Sequence, residues 1–271
     1  MIRTVVNGIS IRYDDQGPSD GIPVVLVHGH PFDHTMWAPQ VEALTAAGYR
    51  VVTPDLRGYG GSEVVPGTCL FSDFADDIAA LLDMIGVQQA VIGGVSMGGQ
   101  ITMEFQRSHP ERVCGLILSD TSPVAETEEG KAFRNALADR LLAEGMDGYA
   151  DEVIDKMIAR YNITARPDVA EHVLAMMRRT APEGAAAALR GRAERPDYRD
   201  TLAGASVPVL VLVGADDFYI PVSDAQAMHR LIPSADLVVI EQAGHLPGAE
   251  QPAAFNDALL NFLGTRVSAG G

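Results

Sequence analysis

The pentapeptide GVSMG at residues 94–98 indicates the fold of this 271-residue chain. It follows an apolar run over 90–94 and precedes a helical pattern over 98–109, so we predict a strand that turns sharply into a helix. The central residue of such a turn has a strained backbone, and its side chain is exposed. Only very small residues fit two positions before and two positions after it, as the glycines do here. Ser96 would then lie at the positive end of the helix, where developing negative charge is stabilised.

The rest of the chain repeats this strand-then-helix pattern. Short apolar runs rich in Val and Ile alternate with longer helical patterns, which is typical of strands and helices on a parallel sheet. Most runs are continuously apolar, as expected for strands covered on both faces. The predicted strands are 22–27, 50–53, 90–94, 113–118, 209–213 and 237–240, and the predicted helices are 37–47, 71–85, 98–109, 223–231 and 253–263. Asn7-Gly8 predicts an antiparallel hairpin before them. The fold class is therefore α/β.

Strand patterns are missing from residues 122–206, which are rich in Ala, Arg and Glu. We expect this segment to form a helical lid inserted between two strands of a core domain made of residues 1–121 and 207–271. The expected helix breaks inside it are Gly145, Gly148, Pro167 and Pro182. Residues 267–271 are predicted to be a frayed tail.

Composition excludes several classes of protein. The chain has 20 basic and 36 acidic residues, a formal net charge of −16, which disfavours nucleic acid and anionic membrane surfaces as partners. No apolar run reaches the roughly 18 residues that a membrane span needs. The first five residues contain no apolar signal core, so we expect a cytoplasmic protein. Cys69 and Cys114 fit neither a disulfide framework nor a metal motif, and we expect buried free thiols.

A serine hydroxyl becomes a nucleophile only when a base removes its proton. His245 follows the predicted strand 237–240, and Asp217 follows the predicted strand 209–213. Both therefore lie at the carboxyl edge of the sheet, where Ser96 also emerges. The chain order Ser, Asp, His is the order found in α/β hydrolases. We predict Ser96 as nucleophile, His245 as base and Asp217 as the carboxylate that orients it.

Two other aspartates remain alternatives for the acid. Asp217 is favoured over Asp216 because its spacing from Gly214 and Pro221 matches the usual loop. Asp120, just after the strand 113–118, could orient His245 from the neighbouring strand. Three histidines outside this region are expected to be surface or capping residues; they are His109, His172 and His229.

An acyl-transfer site also needs donors for the oxyanion, and backbone amides near Ser96 are the natural candidates. We predict the amides of Met97 and His30, the latter in the loop after the strand 22–27. His28 is expected to hold that loop by hydrogen bonds. A metal site built from His30, Asp33 and His34 is disfavoured because their loop contains a proline, so no metal is predicted.

These motifs resemble the α/β-hydrolase superfamily, in particular its small serine esterase, enol-lactonase and cofactor-free haloperoxidase branch. The residues that carry the resemblance are His28-Gly29-His30-Pro31, Trp37, DLRGYGGS at 55–62, the pentapeptide at 94–98, Gly214-x-x-Asp217, Gly244-His245 and Glu250-Gln251-Pro252. They span about residues 22–263. The resemblance implies an α/β-hydrolase fold with an eight-stranded, mostly parallel sheet flanked by helices, a helical lid, a Ser–His–Asp triad and no cofactor. This chain departs from it at His30, where relatives usually carry an apolar residue.

The sequence therefore predicts a serine hydrolase that cleaves a small carboxylic ester or lactone through an acyl-enzyme. Cleavage of a carbon–carbon bond or formation of a peracid by the same triad is the alternative within enzymes, and a non-hydrolytic small-molecule-binding protein is the alternative outside them. The expected pocket residues are Phe32, Trp37, Phe218, Tyr219 and Leu246. Six arginines are expected mainly on solvated helix faces, with one as candidate partner for a substrate carboxylate; they are Arg178, Arg179, Arg190, Arg192, Arg195 and Arg199. The sequence leaves the oligomeric state open, including a homo-oligomer.

Overall fold

Eight strands form one sheet in the computed structural model, which describes residues 2–267. The strands are β1 Ile2–Val6, β2 Ile9–Gln16, β3 Pro23–Val27, β4 Arg50–Pro54, β5 Ala90–Val95, β6 Val113–Ser119, β7 Val209–Gly214 and β8 Ala235–Ile240. Their order across the sheet is β1-β2-β4-β3-β5-β6-β7-β8. The hairpin β1–β2 and the pair β2–β4 are antiparallel, and the other five pairings are parallel. The predicted hairpin and the mostly parallel sheet are both confirmed.

Twelve α-helices accompany these strands within residues 2–267. They are α1 Ala38–Ala46, α2 Phe71–Met84, α3 Met97–Ser108, α4 Glu128–Glu144, α5 Asp147–Met157, α6 Arg160–Ala165, α7 Pro167–Arg179, α8 Pro182–Ala193, α9 Arg199–Ala203, α10 Val222–Leu231, α11 Pro247–Glu250 and α12 Pro252–Arg266. The helices predicted from periodicity correspond to α1, α2, α3, α10 and α12. In α2, for example, the Asp73 carboxylate accepts a hydrogen bond from the backbone N–H of Leu70 at 2.8 Å, which satisfies one unpaired donor at the helix start.

Helices cover the sheet on both faces because successive residues of a strand point to opposite sides. In β3, Val24 and Leu26 belong to one buried hydrophobic cluster, whereas Val25 and Val27 belong to the other. All four side chains are fully buried. This explains why the strand sequences are continuously apolar and do not alternate with polar residues.

Residues 122–206, hereafter the inserted segment, lie between β6 and β7 and contain α4–α9 without any strand. Three predicted breaks coincide with helix ends: Gly145 follows α4, Pro167 starts α7 and Pro182 starts α8. Gly148 lies inside α5 instead, since a single glycine does not end a helix whose other residues favour it.

Parallel pairing aligns the carboxyl ends of the central strands and so positions the functional site. Val95 at the end of β5 pairs with Ser119 of β6, and Ser119 pairs with Leu212 of β7. At the next strand, Gly214 of β7 pairs with Ile240 of β8. The loops that carry residues 96, 120, 217 and 245 therefore leave the sheet along one edge.

Three further predictions concern membrane-spanning segments, the two cysteines and the C-terminal tail. None of the helices within residues 2–267 combines the length and apolar character that crossing a bilayer requires. Both cysteines are free thiols, with Cys69 buried and Cys114 partly buried. The tail predicted for 267–271 lies, beyond Val267, outside the described residues.

Candidate active site

Ser96 occupies the strained turn between β5 and α3. Its backbone has φ +55° and ψ −117°, a left-handed conformation that costs a non-glycine residue about 1–3 kcal/mol. The turn is also very tight: a Cβ added to Gly94 would lie 2.3 Å from the carbonyl carbon of Gly98. A Cβ added to Gly98 would lie 2.2 Å from the carbonyl oxygen of Val27. These contacts confirm the steric reason for glycine at both positions.

The Ser96 side chain faces a cavity of about 450 Å³. Ser96 is only 6% exposed, so it is largely shielded from solvent although it lines this cavity. His245 lines the same cavity. The backbone carbonyl of Ser96 accepts hydrogen bonds from the Thr121 hydroxyl at 2.7 Å and from the backbone N–H of Gln100 at 3.1 Å. The serine is thereby held between the first turn of α3 and the loop after β6.

Asp217 and His245 form a close pair at the edge of that cavity. The distance between His245 Nδ1 and Asp217 Oδ2 is 2.8 Å, and both side chains are almost completely buried. Asp217 Oδ1 accepts a second hydrogen bond, from the backbone N–H of Tyr219 at 2.7 Å. Burial raises the pKa of Asp217, but His245 and these hydrogen bonds outweigh it and hold that pKa below its ordinary value. A carboxylate at Nδ1 favours the tautomer in which Nε2 accepts a proton.

The two alternative acids occupy different places. The Asp216 carboxylate is exposed and accepts a hydrogen bond from the Tyr161 hydroxyl at 2.6 Å. Asp120 is fully buried, and its carboxyl accepts hydrogen bonds from the backbone N–H of Gly214 at 2.8 Å and from the Ser119 hydroxyl at 2.5 Å.

Asp120 lies directly beside the Asp217–His245 pair. The ligand-type atoms of Asp120, Asp217 and His245 all lie within 4.8 Å of one another. Burial, followed by the charge of Asp217, raises the pKa of Asp120 well above its ordinary value. The raised pKa favours the protonated form of Asp120, whose hydrogen bond to Asp217 would stabilise the ionised form of that neighbour.

The loop after β3 packs directly against the serine turn. A Cβ added to Gly29 would lie 3.4 Å from the Cβ of Ser96, so this loop and the serine turn are in contact. His28 holds this loop as expected, because its Nδ1 contacts the Gly29 carbonyl at 2.9 Å and its Nε2 accepts from Leu56 N–H at 3.0 Å. Met97 is the first residue of α3, and the first N–H groups of a helix have no acceptor within it.

The imidazole of His30, at a position where relatives usually carry an apolar residue, lines the cavity. Its Nδ1 hydrogen-bonds with the Tyr59 hydroxyl at 2.8 Å, while its buried Nε2 has no partner among the described residues. Burial lowers the pKa of His30 well below its ordinary value, and the neighbouring Arg192 and Arg134 lower it further. His30 is therefore a neutral imidazole in the cavity wall.

Of the five predicted pocket residues, the structure brings two to the cavity. Phe218 and Tyr219 line it, and the Tyr219 ring centroid is 5.0 Å from that of His245. Phe32, Trp37 and Leu246 are buried in the hydrophobic cluster beneath the site and do not line the cavity. Trp37, for example, packs against Phe255 with ring centroids 6.3 Å apart.

Sequence reasoning missed most of the residues that α4, α5 and α8 contribute to the cavity wall. The apolar members from these helices are Phe133, Leu137, Tyr149, Val153, Met157 and Leu189, and the cationic members are Arg134, Arg140, Lys156 and Arg192, joined by Arg195 just after α8. The one signal available was the concentration of arginine in residues 178–199, which singled out two of these cations.

Asp33, His34 and Asp55 form a second group of metal-ligand types, but protein donors already occupy it. His34 Nδ1 contacts Asp55 Oδ1 at 2.6 Å, and Asp55 Oδ2 accepts from Gly61 N–H at 2.8 Å. Asp33 accepts hydrogen bonds from Thr35 and, at 2.8 Å, from Arg179. His30, the third residue of the disfavoured metal site, contacts Tyr59 instead.

The fold and the strained serine turn define a class of protein, and comparison with known families agrees with it. A family model described as alpha/beta hydrolase fold matches residues 22–252, and the chain belongs to this family.

The chain is similar to individual members of this family with named activities. The chain is 28% identical to 3-oxoadipate enol-lactonase 1 of Acinetobacter baylyi over 256 residues, which cover 94% of each protein. It is 30% identical to the non-heme chloroperoxidase of Streptomyces lividans, covering 96% of this chain and 98% of that one. A thermophilic esterase from Thermogutta terrifontis, solved with malate bound, superimposes with a TM-score of 0.94 at 41% identity, covering 98% of this chain and 97% of that one. Of these relatives, the enol-lactonase and the esterase support hydrolysis of an ester or lactone.

Proposed function

We propose that this protein is a serine hydrolase that cleaves a small carboxylic ester or lactone through an acyl-enzyme. The observation that carries the proposal is the contact of Asp217 with His245 at 2.8 Å, since His245 lines the same cavity as Ser96. The esterase and enol-lactonase relatives support the same reaction class.

In the proposed first half-reaction, Ser96 Oγ bonds to the substrate carbonyl carbon while His245 Nε2 takes the hydroxyl proton. Asp217 stabilises the imidazolium that forms and keeps its ring oriented. The backbone N–H groups of His30 and Met97 donate hydrogen bonds to the tetrahedral oxyanion. When the intermediate collapses, the bond to the alcohol oxygen breaks and His245 gives its proton to that oxygen.

In the second half-reaction, water attacks the acyl carbon and transfers a proton to His245. The oxyanion forms again and is stabilised by the same two amides. Collapse releases the carboxylic acid, and His245 returns the proton to Ser96. A lactone follows the same steps, except that its alcohol stays attached to the acyl group until water releases the ring-opened hydroxy acid.

We propose that the inserted segment, residues 122–206, serves as the lid of this site on a core made of residues 1–121 and 207–271. Its helices α4, α5 and α8 supply wall residues such as Leu137, Val153 and Leu189. These apolar side chains would exclude bulk water around the acyl group and strengthen the electrostatic contacts inside.

The proposal is tested by the matched variants Ser96→Ala and Ser122→Ala, since both serines line the cavity. Wild type and Ser122→Ala should hydrolyse short p-nitrophenyl esters and bind a fluorophosphonate probe covalently. Ser96→Ala should lose the label and on the order of 10³-fold or more in kcat/KM. Undiminished turnover or labelling of Ser96→Ala contradicts the mechanism, and a wild-type protein that neither hydrolyses esters nor takes the label favours a non-hydrolytic binding protein.

The similarity to a non-heme chloroperoxidase supports a second candidate reaction, perhydrolysis. In this reaction hydrogen peroxide would replace water in the second half-reaction and release a peracid. Incubation with acetate and hydrogen peroxide, with chromatography of the products, separates the two. Formation of peracetic acid faster than hydrolysis of p-nitrophenyl esters would favour perhydrolysis. Efficient cleavage of a ring-fission product would instead favour a carbon–carbon bond hydrolase.

A further inference from the structure

The cavity beside Ser96 is cationic although the whole chain carries a formal net charge of −16. Its lining includes five basic side chains, which are Arg134, Arg140, Lys156, Arg192 and Arg195. Among residues 2–267, only two acidic residues, Asp120 and Glu152, line it. A cavity whose charge opposes that of the protein concentrates ligands of the opposite charge, here anions.

Three of these residues, Arg134, Arg192 and Arg195, form a cluster with a single carboxylate. Glu126 pairs with Arg134 and, at 2.8 Å, with Arg195. The two arginines outweigh burial and hold the pKa of Glu126 below its ordinary value, so its charge is fully engaged. Three guanidinium groups therefore share one negative charge.

Arg192 is the member of this cluster without an acid. Its Nε donates a hydrogen bond to Gln100 Oε1 at 2.9 Å, and it forms no ion pair with any carboxylate in residues 2–267. Burial, and then the charges of Arg134 and Arg195, lower the pKa of Arg192 well below its ordinary value. An anion in the cavity would remove this electrostatic penalty.

The other arginines singled out by the sequence do not share this situation. Four of the six are ion-paired near the surface: Arg178 with Asp151, Arg179 with Asp33, Arg190 with Asp139 and Arg199 with Asp197. Arg195 is paired with Glu126. Arg192 alone among the six combines a place in the cavity wall with the lack of a paired carboxylate in the described chain.

Gln100 connects the unpaired guanidinium to the serine turn. Gln100, which holds Arg192, donates its backbone N–H to the carbonyl of Ser96 at 3.1 Å and so lies one helical turn away. Two buried nitrogen atoms in the same wall, His30 Nε2 and Arg195 Nε, have no hydrogen-bond partner among the described residues. His30 is 5% exposed and Arg195 is 8% exposed.

We propose that the cavity takes an ester or lactone that carries a carboxylate, and that Arg192 binds this carboxylate. The inference rests on the proposed function, since it names the substrate class of the same site. A guanidinium presents two parallel N–H donors that match the two oxygens of a carboxylate. The bound carboxylate supplies the negative charge that the arginine cluster lacks, and it fixes which end of the substrate approaches Ser96.

The test compares monomethyl glutarate with dimethyl glutarate, two esters of the same chain length that differ in one negative charge. Wild type should hydrolyse the monoester with a kcat/KM at least about ten-fold higher than that of the diester. In Arg192→Gln this ratio should fall at least ten-fold, and Arg192→Lys should retain part of it. Arg190→Gln is the matched control on the same helix, where the side chain pairs with Asp139, and it should keep the wild-type ratio. A wild type that prefers the neutral diester, or an unchanged ratio in Arg192→Gln, overturns the inference.

A binding measurement separates this inference from the proposed function. Calorimetry of glutarate with the inactive Ser96→Ala protein should give a Kd at least about ten-fold lower than with the Ser96→Ala/Arg192→Gln double variant. Equal Kd values overturn the role of Arg192 while leaving Ser96-dependent hydrolysis intact. Hydrolysis that survives in Ser96→Ala overturns the proposed function while leaving the difference in Kd intact.

Discussion

Gly98→Ala tests the physical basis of the serine turn. Gly98 lies in the first turn of α3, two residues after Ser96, and its backbone packs against the end of β3. An added Cβ would lie 2.2 Å from the carbonyl oxygen of Val27 and 2.6 Å from that of His28. Ordinary contacts begin at 3.4 Å, so the two backbone segments must separate by about 1 Å.

The cost of this separation can be derived from its location. Inserting a methyl group into a packed core costs about 1–3 kcal/mol, and the upper end applies because backbone atoms, not a flexible side chain, must move. For a chain of this length, about 3 kcal/mol lowers the Tm by roughly 6–12 °C. The same movement displaces Ser96 from the loop that holds His30, and a 1 Å displacement of a reacting group lowers kcat/KM about 100-fold.

Urea unfolding, thermal melting and p-nitrophenyl ester hydrolysis measure these effects, with Gly148→Ala as matched control. Gly148 lies inside α5, where an added Cβ meets nothing within 4 Å. Its replacement should raise the free energy of unfolding by about 0.5–1 kcal/mol. A Gly98→Ala protein that melts within about 2 °C of wild type and keeps its esterase activity would refute the steric reasoning.

Two further substitutions test the buried polar groups around the site. Asp120→Asn should be more stable than wild type, and the difference in the free energy of unfolding should be larger at pH 8 than at pH 5. Folding raises the pKa of Asp120, so the wild type loses stability as the pH rises above the ordinary carboxyl pKa. Urea unfolding that gives the same difference at both pH values contradicts a protonated Asp120. His28→Leu leaves the N–H of Leu56 and the carbonyl of Gly29 without their buried hydrogen-bond partner. The free energy of unfolding should therefore fall by about 3 kcal/mol. Unchanged urea unfolding would mean that other contacts hold the loop.

The sequence predicted the sheet and the placement of Asp217 beside His245 because both depend on local patterns. Continuously apolar strands specify a sheet covered on both faces, and parallel pairing brings their carboxyl ends to one edge. A loop that starts at this edge places its first residues near the others, however far apart they are in the chain.

The pocket was harder to predict because it depends on side-chain direction and on packing between distant helices. Trp37 follows the same strand loop as His30, yet its ring turns into the core against Phe255 while His30 lines the cavity. No periodicity distinguishes these two outcomes. Arg134 and Arg192 come together only because α4 packs on α8, a contact between residues 58 positions apart that no local pattern encodes.

Two parts of the structure with different roles form the site and its cavity wall. Loops at the sheet edge hold Ser96, Asp217 and His245, whereas α4, α5 and α8 hold most of the remaining contact surface. Substitutions along those helices can change which molecules enter without disturbing the strands that align the reacting atoms. A scaffold of this kind can therefore change its substrate range through the inserted helices while its catalytic residues stay the same.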